Sequence, residues 1–288
     1  MAATENVKLR VACCQFPVTA DIKKNAQYIR KYMKRAKEKS AHLLHISEAA
    51  LSGYAGSDFP SFEGFDWDLL RSETQRIMEL SAQLSIWIVL GSGHFIDKKT
   101  KPTNCLYLIN DSGKIVDRYD KRMCTGGDQK AYTAGEKFVT RTIRGVKIGL
   151  AICYDICFPQ IYTAYRELGV QLMLHSFYNA GFDEETCLTE LNIHQVPTRC
   201  ADNRMWAVAN NSALPHSQWG SFAARPDATI AKQLPINRAG MFIHDYPDGL
   251  SPRGWMHNDI PVKLSAGETL QLGKSSNHAR QLDTQSEP

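Results

Sequence analysis

Three side chains of this 288-residue sequence stand at the ends of strand-like segments. Cys153 ends "VKIGLAIC" and is followed at once by Tyr154, Asp155 and, shortly after, Pro159. Glu48 sits at the end of "HLLHISEAAL", and Lys121 closes "KIVDRYDK". Alone, each has a plainer reading: a thiol packs as a small hydrophobe, a glutamate caps a helix or pairs with a cation, and a lysine is surface charge. Together they make a reaction kit. A free thiol is only a few per cent thiolate at neutral pH, so a nucleophilic cysteine needs a base or a cation beside it. The carboxylate can take the proton. The ammonium can stabilise the thiolate and then the oxyanion of a tetrahedral intermediate. That set suits acyl transfer from an amide.

The elements that must bring these residues together read as strand–helix units with antiparallel hairpins inserted. The spacing predicts a strand over 9–16 and then a helix to about Ser40, whose Ile22, Ala26, Ile29, Met33 and Ala36 fall on one face. A strand over 42–51, a turn-rich loop and an amphipathic helix from Trp67 follow. Strands are predicted at 86–96 and 104–110, with Asp111, Ser112 and Gly113 turning the chain back into another. A second hairpin over 140–153 turns at Arg144 and Gly145. Next comes a helix with Pro159 early and Gly169 at its end. A strand at 171–177 precedes a helix over 183–203 in which Pro197 forces a kink or a first-turn position. Short strands at 204–212, 221–226, 229–234 and 240–246 complete the pattern. Glu48, Lys121 and Cys153 all fall at strand ends, where open α/β sheets collect their sites.

Four segments in order carry a resemblance to the nitrilase, or carbon–nitrogen hydrolase, family. They are "VACCQFPVTADIKKNAQYI", "SEAALSGY", "YDKRM" and "GVKIGLAICYDICFPQIYTAYRELGVQLML". "RCADNRMWAVANNS" and "GSFAARPDATI" resemble later parts of the family, so the likeness covers roughly residues 8–246. It implies an α/β fold, a four-layer αββα sandwich of two mixed β-sheets with outer helices. It also implies Glu48 as general base, Lys121 as stabiliser of the oxyanion and Cys153 as nucleophile, with the Tyr154 backbone N–H helping to hold the oxyanion. Tyr54, which closes the glutamate motif, is placed with the substrate-binding residues.

The match departs from the family pattern at named positions. Ser47 stands where a proline is usual before the glutamate, and Arg122, Met123 and Cys124 follow the lysine where many relatives have histidine and an apolar residue. Many relatives also carry a second glutamate about eight residues after the lysine. Counting back from Gly135 offers Asp128 for it, and counting forward from Lys121 offers Gln129. Tyr154 and Asp155 after the nucleophile match amidase and carbamoylase branches rather than nitrile-specialised ones. "HSFYNAG" follows the next strand and is expected to line the pocket through Phe177, Tyr178 and Asn179. The expected reaction is therefore cysteine-dependent cleavage of a non-peptide C–N bond in a small linear amide or N-carbamoyl compound. It runs through a thioester and releases ammonia or an amine. The alternative is a catalytically impaired protein of the same fold that acts by binding. A cysteine peptidase of another fold would want a histidine partner for the thiol, and no such signature is visible.

Composition bounds the partners. Hydrophobic residues are 43% and charged residues 22%, and the net charge of +4 is no nucleic-acid footprint. The basic stretch around residues 23–39 is the solvated face of its helix. No run of 18 apolar residues is long enough to span a membrane. "MAATENVKLR" has no signal-peptide apolar region, and eight scattered cysteines form no disulfide or zinc framework, so a reducing cytoplasm is expected. Cys13 and Cys14 must face opposite layers of their strand, and His42 and His45 opposite faces of theirs. No metal and no cofactor are expected. Residues 1–288 are read as one domain, with a core of about 8–246 and an extension over 247–288 whose last part is disordered. The family likeness implies a homodimer or higher homo-oligomer in which that extension reaches across.

Overall fold

The computed structural model describes residues 9–181 and 184–248. The expected C-terminal extension therefore lies, from residue 249 on, outside the described residues. The first half runs β1 (Leu9–Gln15), α1 (Ile22–Glu38), β2 (Leu43–His45), α2 (Trp67–Leu84), β3 (Trp87–His94), β4 (Thr103–Ile109) and β5 (Ile115–Asp120). A short α3 (Asp128–Ala131) leads to β6 (Thr140–Ile143) and β7 (Val146–Ile152). A 3-10 turn (Cys153–Cys157) joins β7 to α4 (Pro159–Glu167), followed by β8 (Leu172–Ser176) and α5 (Leu188–Asn203). The last strands are β9 (Trp206–Asn210), β10 (Phe222–Ala224), β11 (Ile230–Gln233) and β12 (Gly240–Tyr246).

Two six-stranded sheets result, in the orders β12-β1-β2-β3-β4-β5 and β11-β10-β9-β8-β7-β6. Both are mixed. In the first, β1, β2 and β3 are parallel and flanked by antiparallel neighbours; in the second, β7, β8 and β9 are. Parallel strands buried on both faces read as continuous apolar runs, which is why "LRVACC" and "IGLAI" lack clean alternation. The pleat still sorts their side chains. Leu9, Val11 and Cys13 of β1 pack with Ile148, Leu150 and Ile152 of β7 between the sheets. Ala12 and Cys14 face the other way, toward Ile29 and Met33 of α1. Ala151 and Met173 pack outward against Tyr162 and Tyr165 of α4 and Val196 of α5. The layers are helix, sheet, sheet, helix.

Local chemistry sets the element ends. The Asp21 side chain caps α1 by accepting from Lys24 N at 3.0 Å. Three expectations need correction. The strand expected over 42–51 ends at His45, because the chain then coils into a turn laid on β3. Gly91 permits this, since a Cβ there would stand 1.9 Å from the Ser47 carbonyl oxygen. The helix expected from 183 begins at Leu188, and Pro197 sits buried inside it rather than in its first turn. Packing against the sheet holds the helix across the ring. Trp206–Asn210 is shorter than the strand expected over 204–212, and Asn210 and Asn211 at its end are buried, forming hydrogen bonds that cross between the sheets and the site loop.

Candidate active site

Glu48 and Lys121 come from the first sheet and Cys153 from the second. The Glu48 turn hangs from β3 by Ile46 N to Val89 O at 3.0 Å and Leu51 N to Gly91 O at 2.9 Å. Lys121 follows β5 directly, with its N–H donating to Asn104 O and its carbonyl accepting from Gly135 N, both at 2.8 Å. Cys153 opens the 3-10 turn after β7 at a φ of 42°, in the left-handed region that non-glycine residues rarely take.

Asp155 holds that turn. Its Oδ2 accepts from Ile152 N at 2.9 Å and Tyr119 OH at 2.6 Å, and its Oδ1 accepts from Met123 N at 2.9 Å. One buried carboxylate thus ties the residue before the thiol to the loop after the lysine. His175 supports the same turn, with Nε2 3.2 Å from the Cys153 carbonyl oxygen and Nδ1 2.9 Å from Tyr162 OH. A carbonyl only accepts, so Nε2 carries the proton. Burial pushes His175 down to about 3, which keeps the ring neutral.

The charged groups meet on Lys121. Its Nζ stands 2.8 Å from Glu48 Oε1 and 2.8 Å from Asp128 Oδ2. It also lies over the Tyr54 ring at 5.7 Å from the centroid. Glu48 Oε1 accepts a second bond from Asn104 Nδ2 at 2.7 Å, whereas Glu48 Oε2 is buried with no partner. Asp128 accepts from Thr125 N at 2.8 Å, from Thr125 Oγ1 at 3.0 Å and from Tyr54 OH. Glu48, Asp128 and Lys121 are all essentially inaccessible to water, while Cys153 as a residue is half-buried.

Burial raises the Glu48 carboxyl, and the nearby Asp128 charge adds to this against the pull of Lys121. Burial also raises Asp128, but Lys121, Tyr54 and Thr125 outweigh it and leave the carboxyl below the usual range. Lys121 is raised: burial opposes its charge, and the surrounding anions more than offset that. Burial and then Glu48 push the Cys153 thiol up, with Lys121 pulling the other way. One ammonium faces two carboxylates here. A resting thiolate would add a third anion, so the surroundings favour the protonated thiol.

Cys153, Lys121 and Asp128 line a cavity of about 670 Å³, whose walls include Tyr54, Tyr154, Tyr178 and Asn179. Tyr178 stacks on Tyr54 with ring centroids 5.0 Å apart, and its OH donates to Asp58 Oδ1 at 2.6 Å. Two expected site residues are elsewhere. Gln129 is exposed, and its side chain donates to Cys124 O at 3.3 Å, so Asp128 is the residue that reaches the lysine. Phe177 alternates away from the cavity into the core between His175 and Trp219. Asn104, His175 and Asn211 support the site without having been singled out from sequence, and Asp155, read there only as a mark of the amidase and carbamoylase branches, supports it too. Polar residues inside apolar strands, as in "TNCLYLI" and "LMLHS", were the available signal. His42 and His45 do not converge: His42 accepts from Arg10 N at 2.9 Å, and His45 bonds Ser176 Oγ at 2.8 Å. Among the described residues no helix is long and apolar enough to cross a membrane.

Comparison with known proteins bears on the family and the fold. The carbon–nitrogen hydrolase family matches residues 10–249. Nitrilase homolog 2 of Dictyostelium discoideum is 27% identical over 211 residues, covering 68% of this chain and 62% of its own. The chloroplastic omega-amidase of Arabidopsis thaliana is 27% identical over 229 residues, covering 74% of this chain and 60% of its own. The chain thus spans about three-fifths of the length of these two relatives. A mutant of the Nesterenkonia AN1 amidase, of the nitrilase superfamily, superposes with a TM-score of 0.75 at 21% identity, covering 86% of this chain and 94% of that one. That likeness is one of fold: the two stacked six-stranded sheets with outer helices are the αββα sandwich of that superfamily.

Proposed function

The chain belongs to the carbon–nitrogen hydrolase family, and on that premise we propose that it hydrolyses the C–N bond of a small linear amide or N-carbamoyl compound through a thioester on Cys153. One observation carries the reading: the Lys121 ammonium, 2.8 Å from both Glu48 and Asp128, sits with the Cys153 thiol at the wall of one cavity. Sγ attacks the carbonyl carbon, and its proton passes to Glu48 Oε2, the oxygen without a partner. Lys121 spends two N–H bonds on carboxylates and has one left for the developing oxyanion, beside the Tyr154 backbone N–H. The C–N bond breaks as Glu48 returns the proton to the leaving nitrogen. Water, deprotonated by Glu48, then cleaves the thioester and frees the thiol.

Support for an amide rather than a nitrile comes from Tyr154–Asp155 after the nucleophile and from the omega-amidase relative. The binding-only alternative rests on the departures from the family pattern at Met123 and at Asp128 or Gln129. Asp128 stands where a second anion is needed near Lys121, which favours chemistry over binding. An ammonia-release screen across short-chain amides, N-carbamoyl compounds and nitriles tests the proposal. The expected result is release from amides or carbamoyl compounds, abolished by Cys153→Ala. No release from any of them, or release that survives Cys153→Ala, ends this reading. The cytoplasmic location and homo-oligomeric state expected from sequence stand as proposals beside it, the second checked by gel filtration at micromolar concentration.

A further inference from the structure

The reaction above does not use the side chain that touches the nucleophile. Cys153 Sγ lies 3.7 Å from Asn179 Oδ1, in reach of a weak S–H···O bond. Asn179 Nδ2 is buried and has no hydrogen-bond partner. A buried amide left unpaired is costly, so the orientation that leaves it so invites a use for the donor. The backbone at this residue is pinned. Asn179 N donates to Asn211 Oδ1 at 2.8 Å, and the Asn179 carbonyl accepts from Gln218 N at 2.9 Å and from Asn211 Nδ2 at 3.3 Å. Asn211 is held in turn by Ser221 Oγ at 2.9 Å and the Trp219 carbonyl at 2.8 Å. Only the terminal carboxamide is left to rotate. Its oxygen and nitrogen are nearly equal in size, so a half turn needs no repacking.

We propose that Asn179 is a further catalytic residue: its carboxamide accepts from the thiol at rest and, turned by half, donates Nδ2–H to the sulfur once the sulfur is anionic. The inference rests on Cys153 being the nucleophile. The Sγ–H bond breaks, the proton goes to Glu48 Oε2, and the electron pair stays on sulfur to form the S–C bond. At that moment Oδ1 faces an anion while Nδ2 gains an acceptor, and both changes favour the turned amide. The groups that act on the sulfur are Glu48 from the turn after β2, Lys121 after β5, Asp128 of α3 and the Tyr178 backbone N–H after β8. The Tyr54 phenol faces the same cluster. With the proton on Glu48, Lys121 balances Asp128 and the sulfur carries the unmatched charge. A neutral donor aimed at the sulfur relieves that without adding charge.

The test follows alkylation of Cys153 by iodoacetamide in the full chain, read at that residue by mass spectrometry from neutral to alkaline pH. Asn179→Leu removes both halves of the amide at similar size, and Asn179→Asp removes the donor and adds an anion. In both, the midpoint pH of labelling rises by about one unit, and labelling at neutral pH slows about tenfold. Labelling regains the wild-type rate at alkaline pH. If Asn179→Leu fails to fold, Asn179→Ala, which also removes the donor and adds no charge, carries the test, because the anion of Asn179→Asp raises the midpoint by itself. A residue that is only cavity wall leaves the midpoint where it was, and an unmoved midpoint overturns the inference. Ammonia release separates this from the reading it rests on. A shifted midpoint with no amide turned over sinks the amidase reading and keeps Asn179; turnover with an unmoved midpoint does the reverse.

Discussion

Glu48 and Asp128 each bring a carboxylate oxygen to 2.8 Å from the same ammonium, yet the regions around them treat the charge in opposite ways. At Asp128 the loop supplies Thr125 N and Oγ1, and Tyr54 reaches across from another loop, so both oxygens are bonded. That carboxyl is held below the usual range and stays ionised. At Glu48 the donors, Lys121 and Asn104, converge on one oxygen and leave the other bare in a dry turn. That carboxyl is raised. On the proposed mechanism, two carboxylates whose environments push their pKa values apart divide the labour: the low one is a fixed counter-ion, and the raised one exchanges protons. Neither role follows from residue type, since both follow from how many donors each oxygen finds.

The division breaks hardest at Glu48. Glu48→Gln keeps the size and the bond to Lys121 but cannot take a proton, so kcat should fall by roughly 10³-fold with the fold intact. Asp128→Asn should cost far less. Equal losses in single-turnover assays of the two variants would mean that the carboxylates are not specialised. A second break acts on position rather than charge. Gly91→Ala places a methyl 1.9 Å from the Ser47 carbonyl oxygen and must displace the Glu48 turn. Misplacing the base by about an ångström predicts a kcat loss on the order of 10²-fold while Asp128 and Lys121 stay paired. Full activity in Gly91→Ala would show that the turn does not set where Glu48 sits.

The two regions also differ in how far sequence reveals them. Glu48, Lys121 and Cys153 are legible through the ordered set of motifs that resembles the family, since each alone has a plainer reading, and the one-sided apolar spacing of α1 is legible because helix periodicity repeats over seventeen residues. Asp128 against Gln129 was not legible by counting. Gly126 and Gly127 precede them, and such a stretch lets the backbone choose which side chain turns inward. The strand carrying Glu48 was drawn too long because "ISEAAL" stays apolar while leaving the sheet. Its departure depends on Gly91, more than forty residues away, and a local pattern cannot report that. Phe177 was misplaced for a related reason. One residue of register at the end of β8 decides whether an aromatic faces cavity or core. The asparagines that brace the site looked like ordinary strand ends, since their partners lie on other strands.

Asp128 itself supplies the third break. Asp128→Asn leaves Lys121 an acceptor but removes the negative charge that strengthens the bond, about 1.5–3 kcal/mol, hence roughly 10–100-fold in kcat/KM if it is felt fully in the transition state. Its pH signature is more telling than its size. On the proposed mechanism the base works when deprotonated, so activity should fall as pH drops through the Glu48 pKa, which lies above the ordinary glutamate value. The Asp128 charge is one of the causes raising it. Removing that charge should therefore move the acid limb of kcat/KM to lower pH. For stability the sign is the other way round. Asp128 is lowered in the fold, so its contribution is present above the unfolded aspartate pKa and is lost as pH falls through the folded one. Thermal unfolding should show the wild type losing its advantage over Asp128→Asn on acidification.

Tyr54→Phe sharpens the comparison most finely, because it keeps the ring over Lys121 and the stack on Tyr178 and removes only the hydroxyl that donates to Asp128. One lost bond to an anion that keeps its other donors should cost about 1 kcal/mol, or roughly fivefold in kcat/KM. With one donor fewer, Asp128 holds its charge less firmly and shares more of Lys121, so the pull of Lys121 on Glu48 weakens. The acid limb should then move slightly up in pH, opposite to its movement in Asp128→Asn. Limbs that move the same way in the two variants would mean that Tyr54 acts on the substrate and not through Asp128.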